Sequence, residues 1–129
     1  AREQIQGYFP RLLAGASGFT LSETVEMIRE QDGLAIAAHI DRPSFSVLSQ
    51  LGAFPSDVVF DAIEVSAAGV RLGRHMDAMN FGMTVIASSD SHFLADVGCC
   101  STMLESVEPT FEELAWSIKG VNGRRCFLA

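Results

Sequence analysis

The stretch VIASSDSH, Val85 to His92, decides the fold that this sequence predicts. An apolar run typical of a buried strand ends directly in serines, an aspartate and a histidine. If the backbone stays extended, Asp90 and His92 point to the same side, with alpha carbons roughly 6.5 Å apart. That separation is wide for two ligands of one ion and comfortable for ligands of neighbouring ions. The alternative is that Asp90 caps a turn and His92 lies on the surface.

Other short apolar runs outward from this stretch also have the character of strands. They are LAIAA (34–38), DAIEV (61–65), MTVIAS (83–88), CCSTML (99–104) and RCFLA (125–129). Helices are predicted between them, after the capping boxes Thr20–Glu23 and Thr110–Glu113 and over residues 44–52 and 70–80, with Gly33 and Gly120 as helix ends. Alternating helices and strands that are apolar on both faces indicate an α/β fold of mostly parallel strands. An open doubly wound sheet and an arc of a barrel both fit.

In either architecture, active-site and ligand-binding residues lie at the carboxyl ends of the strands. His39 ends the first strand, so it is expected at the same rim as Asp90 and His92. Manganese, iron and zinc accept imidazole together with carboxylate, which makes these residues candidate metal ligands. Arg42 can clamp a phosphate or pair with a surface acid. Glu64, in the middle of a strand, can orient a ligand or be buried and paired.

Composition restricts the function classes. The 129 residues suit one domain, and the net charge of −7 argues against an extended nucleic-acid footprint, although a pocket for a phosphorylated substrate remains open. No apolar run is long enough for a membrane span. The cysteines Cys99, Cys100 and Cys126 form no C-x-x-C pair. The vicinal Cys99 and Cys100, inside an apolar run, are predicted to be buried thiols, and the odd number of cysteines with no signal segment favours a reducing cytoplasm. Phosphate-loop, dinucleotide and hydrolase-elbow motifs are absent.

Taken in order, GLAIAAHIDRPSFSVLSQLGAFP, DAIEVS, VIASSDSH and DVG resemble the later motifs of the PHP (polymerase and histidinol phosphatase) domain family, in particular a bacterial subgroup. The resemblance implies a distorted (β/α)7 barrel whose rim holds up to three divalent ions, zinc, manganese or iron. It also implies that His39, Asp90 and His92 are metal ligands, typically of different ions. Water activated by the ions would attack a phosphoester.

The chain departs from the family pattern at its beginning. A complete PHP site starts with an H-x-H motif, whereas this sequence has His39, His75 and His92 and no such motif. The chain also begins without methionine, so we expect a piece of a longer protein. Residues 1–19 are predicted to connect to it, and residues 20–129 to form the carboxyl-terminal half of the PHP domain. His75 is predicted to be a surface or packing residue of a helix.

The leading hypothesis is therefore part of a metal-dependent phosphoesterase that hydrolyses a phosphorylated small molecule or nucleotide. A degenerate PHP module with an interaction or regulatory role is the alternative, and an unrelated free-standing α/β domain is a third. Alone, the chain is expected to bind metal weakly and to hold an incomplete site, so its own activity stays open. Self-association through an uncovered sheet edge is also expected.

Overall fold

The computed structural model describes residues 7, 8, 10 and 15–129, so much of the predicted connecting segment 1–19 lies outside the described residues. The helices are α1 Leu21–Glu30, α2 Val47–Leu51, α3 Ala67–Arg71, α4 Arg74–Ala78 and α5 Phe111–Lys119, with short 3-10 turns at Met79–Phe81 and Leu94–Asp96. The strands are β1 Ile36–Ala37, β2 Ala62–Ser66, β3 Thr84–Ser88, β4 Thr102–Glu105 and β5 Arg125–Leu128. Each predicted strand is present, with shifted ends.

The first three strands form a parallel sheet in the order β1-β2-β3. Helices alternate with these strands, which confirms the predicted α/β class for this part of the chain. The last two strands differ, because β4 and β5 pair antiparallel in a separate sheet. An intervening helix such as α5 permits a parallel crossover without requiring one. The described parallel strands form an open sheet, and the barrel implied by the resemblance stays a prediction.

A side chain, rather than a strand ladder, connects the two sheets. The Thr102 hydroxyl donates to the carbonyl oxygen of Ala87 and accepts from its N–H, both at 2.8 Å. Ala87 lies on β3 and is 2 % exposed, so its backbone groups need partners inside the protein. Thr102 therefore supplies both hydrogen bonds that a neighbouring strand would otherwise make there.

The helix ends follow local sequence signals in part. Thr20 and Glu23 form the predicted reciprocal capping box at the start of α1. Gly33 does not take the predicted left-handed position, which belongs to Asp32 (φ 54°). Instead Gly33 packs so tightly on α1 that an added Cβ would lie 2.8 Å from Ile28 Cγ2. The glycine is thus required for close approach and not for its φ.

The second capping box is only half formed. Thr110 accepts the Glu113 N–H at 3.2 Å, but the Glu113 carboxylate turns away from Thr110 to the N–H of Val107 and to Arg124. The Arg124 guanidinium, followed by the Val107 N–H, holds the pKa of Glu113 below its ordinary value. Glu113 therefore ties the start of α5 to the turn before β5 instead of closing its own helix end.

The helix predicted over residues 70–80 is divided by Gly73, which has a φ of 76°. A left-handed residue ends a helical path, and glycine adopts it without a steric penalty. The chain accordingly forms α3 and then α4, with Arg74 as the first residue of α4. The break therefore determines the backbone position from which the Arg74 side chain extends.

The hydrophobic core lies around β1 and β2. Its buried members come from both strands, the loops before them and the helices that cover them: Val25, Ala35, Ala37, Ile40, Val58, Phe60, Ile63, Val65 and Ala78. Ala62 and Ile63, whose side chains point to opposite faces of β2, are both fully buried, as expected for a central strand covered on both faces. Among the described residues, none of the helices has the length and apolar character needed to cross a bilayer.

Candidate functional site

The carboxyl ends of the three parallel strands carry the polar residues that the sequence singled out. Ser66 and Ser88 are register partners at the ends of β2 and β3, and His39 follows β1 by two residues. Parallel strands end at one edge of a sheet, so these positions share a rim. We call this edge, with the loops at 39–42 and 88–92, the strand-end rim.

Glu64 links residues from all three strands at the strand-end rim. One carboxylate oxygen, Oε2, accepts the backbone N–H of His39 at 3.2 Å, and the other, Oε1, accepts the Ser88 hydroxyl. The Glu64 carbonyl oxygen also accepts the N–H of Ile40 at 2.8 Å. Glu64 therefore holds the backbone at His39, which has a left-handed φ of 29°, rather than its imidazole.

The imidazole of His39 has a buried nitrogen without a partner among the described residues. Its Nδ1 is buried and makes no hydrogen bond to any residue that the structure describes. A buried polar atom left in this state is costly, and in a native site it signals a missing ligand, ion or water. His39 therefore meets the condition expected of a metal ligand at this position. His75 on α4 also has a buried Nδ1 without a described partner, but it lies outside the strand-end rim.

Asp90 forms an ion pair with Arg42. Arg42 Nη1 donates to Asp90 Oδ2 at 2.6 Å, and both side chains are partly exposed. Arg42 is thus the partner of a surface acid, as one of the two interpretations predicted, and the acid is Asp90. Arg42 therefore balances the negative charge of Asp90, the same carboxylate that is predicted to bind metal.

The backbone from Ser88 to His92 turns instead of staying extended. β3 ends at Ser88, and Asp90 has a φ of 46°. The turn brings the ring of His92 back to its own loop, where Nδ1 lies 2.8 Å from the Asp90 carbonyl oxygen. The extended geometry assumed for Asp90 and His92 was wrong, since positive φ at Asp90 ends the strand pattern.

The donors at the strand-end rim do not complete a metal centre by themselves. Within residues 7, 8, 10 and 15–129, no three His, Cys, Asp or Glu side chains are grouped closely enough to hold an ion. The donor types fit a divalent metal, and the free Nδ1 of His39 fits a ligand position. Their number is too small, so further ligands would have to come from other parts of the protein.

The sequence does not predict a second polar group at the strand-end rim. The Asp41 carboxylate accepts both the N–H and the hydroxyl of Ser66, each at 2.7 Å. Arg74 Nη1 donates to the Asp41 carbonyl oxygen at 3.1 Å and lies 3.9 Å from Asp41 Oδ2. The available signal was an aspartate two residues after His39.

An open pocket of about 410 Å³ joins these two groups. Arg42, Asp90 and Ser89 line it together with Asp41, Ser66 and Arg74. Pro43, Ala67, Ala68 and Leu72 add apolar surface. We call it the two-arginine pocket, and one of its lining residues, Asp90, is a candidate metal ligand of the strand-end rim.

Cys100, near the rim, lacks the lowered pKa of a nucleophilic cysteine. Cys99 is exposed, which corrects the prediction that it is buried, and Cys100 is half-buried. Burial, and then the neighbouring Cys99, raises the pKa of the Cys100 thiol. A raised pKa keeps Cys100 as the unreactive thiol at neutral pH. The Cys100 carbonyl accepts the Ser89 hydroxyl at 3.1 Å, so this segment serves to hold the loop after β3.

Comparison with known proteins gives two matches. A sequence model of a family described as PHP-associated matches residues 78–120. The structure is similar to the crystal structure of the novel lesion-specific endonuclease PfuEndoQ from Pyrococcus furiosus, with a TM-score of 0.65 and 26 % sequence identity. That match covers 83 % of this chain and 28 % of the endonuclease, so this chain spans little more than a quarter of its length. No curated protein matches the sequence significantly.

The endonuclease corrects the predicted partners. The net charge of −7 predicts that the chain has no extended nucleic-acid footprint, but a structural neighbour of this chain is named a lesion-specific endonuclease. The error was physical: net charge is a sum over the whole chain, whereas phosphate contacts depend on a few local cations. The family match and the structural match together support the resemblance of this chain to a carboxyl-terminal region of PHP-domain proteins.

Proposed function

We propose that this chain forms part of the active-site rim of a metal-dependent phosphoesterase that cleaves phosphodiester bonds in nucleic acid. The observation that carries the proposal is the convergence of residues from three parallel strands at one edge, joined through Glu64. Imidazole and carboxylate side chains at such an edge are the donors that zinc, manganese and iron accept. A divalent ion there supplies an activated water and offsets charge on the phosphoryl oxygens.

Each candidate residue has a separate role in this proposal. His39, Asp90 and His92 contribute ligands, and further ligands come from parts of the protein outside the described residues. Arg42 contacts a substrate phosphate, since a guanidinium can donate two parallel hydrogen bonds to phosphate oxygens. Glu64 is a positioning residue, because it accepts the backbone N–H of His39 and thereby fixes the backbone that carries the imidazole.

The substrate class is supported by the structural neighbour. PfuEndoQ is named as a lesion-specific endonuclease, and 83 % of this chain corresponds to part of it. Nucleic-acid phosphodiesters also suit a site with arginines on one side and metal ligands on the other. We therefore propose a nucleic-acid strand as the substrate.

A non-catalytic PHP module is the second candidate. It is favoured by the ion pair between Arg42 and Asp90, which neutralises a carboxylate that a metal ion would otherwise use. It is also favoured by the incomplete donor set of the described residues. In this case Arg42 would be a permanent structural partner of Asp90, and removal of metal would change nothing.

The test is nuclease activity of the complete protein that contains this chain. Undamaged and singly damaged oligonucleotide duplexes would be incubated with manganese or zinc, with and without chelator. Asp90→Asn should lower turnover about 100-fold or more, because one ion loses an anionic ligand while the neutral amide still tolerates positive φ. Chelation should abolish cleavage.

Asp32→Asn is the matched control. Asp32 is also an aspartate with positive φ, but it precedes β1 at the opposite end of the sheet. It should leave turnover unchanged. Equal losses in the two variants, or cleavage that survives chelation, would contradict the proposed role of Asp90 and favour the non-catalytic module or a different site.

A further inference from the structure

Arg74 lines the two-arginine pocket from a position just after a break between two helices. Gly73 has a φ of 76° and separates α3 from α4, so the chain restarts with Arg74 at the first position of α4. The Arg74 side chain is about half exposed, at 50 % of its free surface. Arg74 therefore presents to the pocket a positive charge that is not buried.

Asp41 fixes the position of Arg74 through a hydrogen bond to its carbonyl oxygen and a long ion pair with its carboxylate. The Arg74 hydrogen bond goes to the Asp41 carbonyl oxygen, at 3.1 Å, while the nearest carboxylate oxygen is 3.9 Å away. That carboxylate is 8 % exposed and is already satisfied by the N–H and hydroxyl of Ser66. An anchored guanidinium loses less freedom when a ligand binds, which is favourable for recognition.

The anchor itself is tightly built. Gly69 on α3 is buried, and a Cβ added there would overlap the Asp41 carboxylate and lie 2.7 Å from Val65 Cγ1. The Gly69 N–H also donates to the Ser66 hydroxyl at 3.0 Å, so the same hydroxyl bonds both α3 and Asp41. The base of the pocket is therefore formed before any ligand arrives.

The shape and chemistry of the pocket indicate the class of ligand. Its volume of about 410 Å³ lies in the range of small-ligand sites, roughly 300–1,000 Å³. Two guanidinium groups, from Arg42 and Arg74, line it, each near a carboxylate that also lines it, Asp90 and Asp41 respectively. Pro43 and Leu72 add apolar surface. Cations suit phosphate and an apolar wall suits a base, so the pocket combines the two contacts that a nucleotide needs.

We infer that the two-arginine pocket binds one nucleotide of a nucleic-acid strand beside the candidate metal ligands, and that Arg74 contacts the phosphate of that nucleotide. The nucleic-acid class of the ligand rests on the proposed function, whereas the subsite rests on the pocket. Arg74 binds and positions the strand in this inference and takes no part in bond cleavage.

The test is binding without metal, by fluorescence anisotropy of this chain with a labelled single-stranded oligonucleotide in chelator. The affinity would be measured over a series of salt concentrations. Arg74→Gln should weaken binding by roughly three- to tenfold and lower the slope of log affinity against log salt by about 0.7, the value for one phosphate contact on a single strand. Arg125→Gln is the matched control, because Arg125 is an exposed arginine in an ion pair on β5, away from the pocket.

A second variant tests the pocket without changing charge. Leu72 is 70 % exposed, so Leu72→Trp can be accommodated by the fold while its larger ring narrows the pocket. Binding should weaken with an unchanged salt slope. Leu51→Trp, at a position that is 56 % exposed on α2 and outside the pocket lining, should have no effect. Circular dichroism checks that each variant is folded.

The outcomes separate the subsite from the proposed function. Equal effects of Arg74→Gln and Arg125→Gln, or wild-type binding by folded Leu72→Trp, would overturn the subsite even if the complete protein cleaves nucleic acid. Arg74-dependent binding in chelator would support the subsite even if no cleavage is found. Competition by inorganic phosphate that is as strong as competition by a nucleoside monophosphate would also overturn it, since the pocket would then recognise phosphate alone.

Discussion

Positive φ at single residues shapes the strand-end rim. His39 and Asp90 have φ values of 29° and 46°, in a region that side-chain-bearing residues seldom adopt. Such conformations are often found at functional sites, where the surrounding contacts hold them. Asp32, Phe45 and Asn122 share the feature away from the candidate ligands, so positive φ alone does not identify the site. His39 and Asp90 are distinguished by their bonds to Glu64 and Arg42.

The first prediction concerns Gly69, where the fold leaves no room for a side chain. Gly69→Ala should lower the free energy of unfolding by about 1–3 kcal/mol, because the added methyl group overpacks a closed space. The overlap would be with the Asp41 carboxylate and Val65. Chemical denaturation measures the change.

Gly18→Ala is the control for this substitution. Gly18 has no atom within 4 Å of an added Cβ, and its φ does not require glycine. It should leave stability within about 0.5 kcal/mol of the original protein. An equally stable Gly69→Ala protein would show that the Asp41 anchor can move, and would weaken the argument for a preformed pocket.

At the scale of elements, β3 and β4 are joined by the Thr102 side chain. Thr102→Val keeps the shape of the residue and removes the hydroxyl, which leaves the N–H and carbonyl of Ala87 without these partners. The free energy of unfolding should fall by about 1–3 kcal/mol, the cost of leaving buried polar groups unsatisfied. Thermal and chemical unfolding both measure it.

Thr24→Val is the corresponding control on α1. The Thr24 hydroxyl donates to the Thr20 carbonyl oxygen within the same helix and in an exposed setting, where water can replace it. It should change stability by less than about 0.5 kcal/mol. A similar loss in both variants would show that the substitution itself, and not the link between sheets, determines the effect.

At the scale of the molecule, this chain should bind divalent metal only weakly. High affinity requires several ligands that converge on one ion, and the described residues contain no such group. Calorimetric titration with zinc and manganese should therefore detect no submicromolar binding. Submicromolar one-to-one binding that His39→Ala and His92→Ala both abolish would contradict this expectation and show a self-contained site.

Much of the local structure was predictable because neighbouring residues determine it. Alternating apolar segments predicted the strands, and Thr20 with Glu23 predicted the start of α1. Polar residues directly after buried strands indicated the strand-end rim. The role of Asp41 was not predictable, because its partners Ser66 and Arg74 are 25 and 33 positions away along the chain.

The sequence by itself determined the α/β class, the alternation of helices and parallel strands around β2 and the presence of polar residues directly after β1 and β3. Each of these follows from short-range patterns of apolar and polar side chains. Only the tertiary structure decided that β4 and β5 pair antiparallel, that Asp90 pairs with Arg42 and that Arg74 reaches Asp41. These features depend on contacts between distant segments, and such contacts are chosen by packing and by the need to pair buried polar groups, not by the residues next to them.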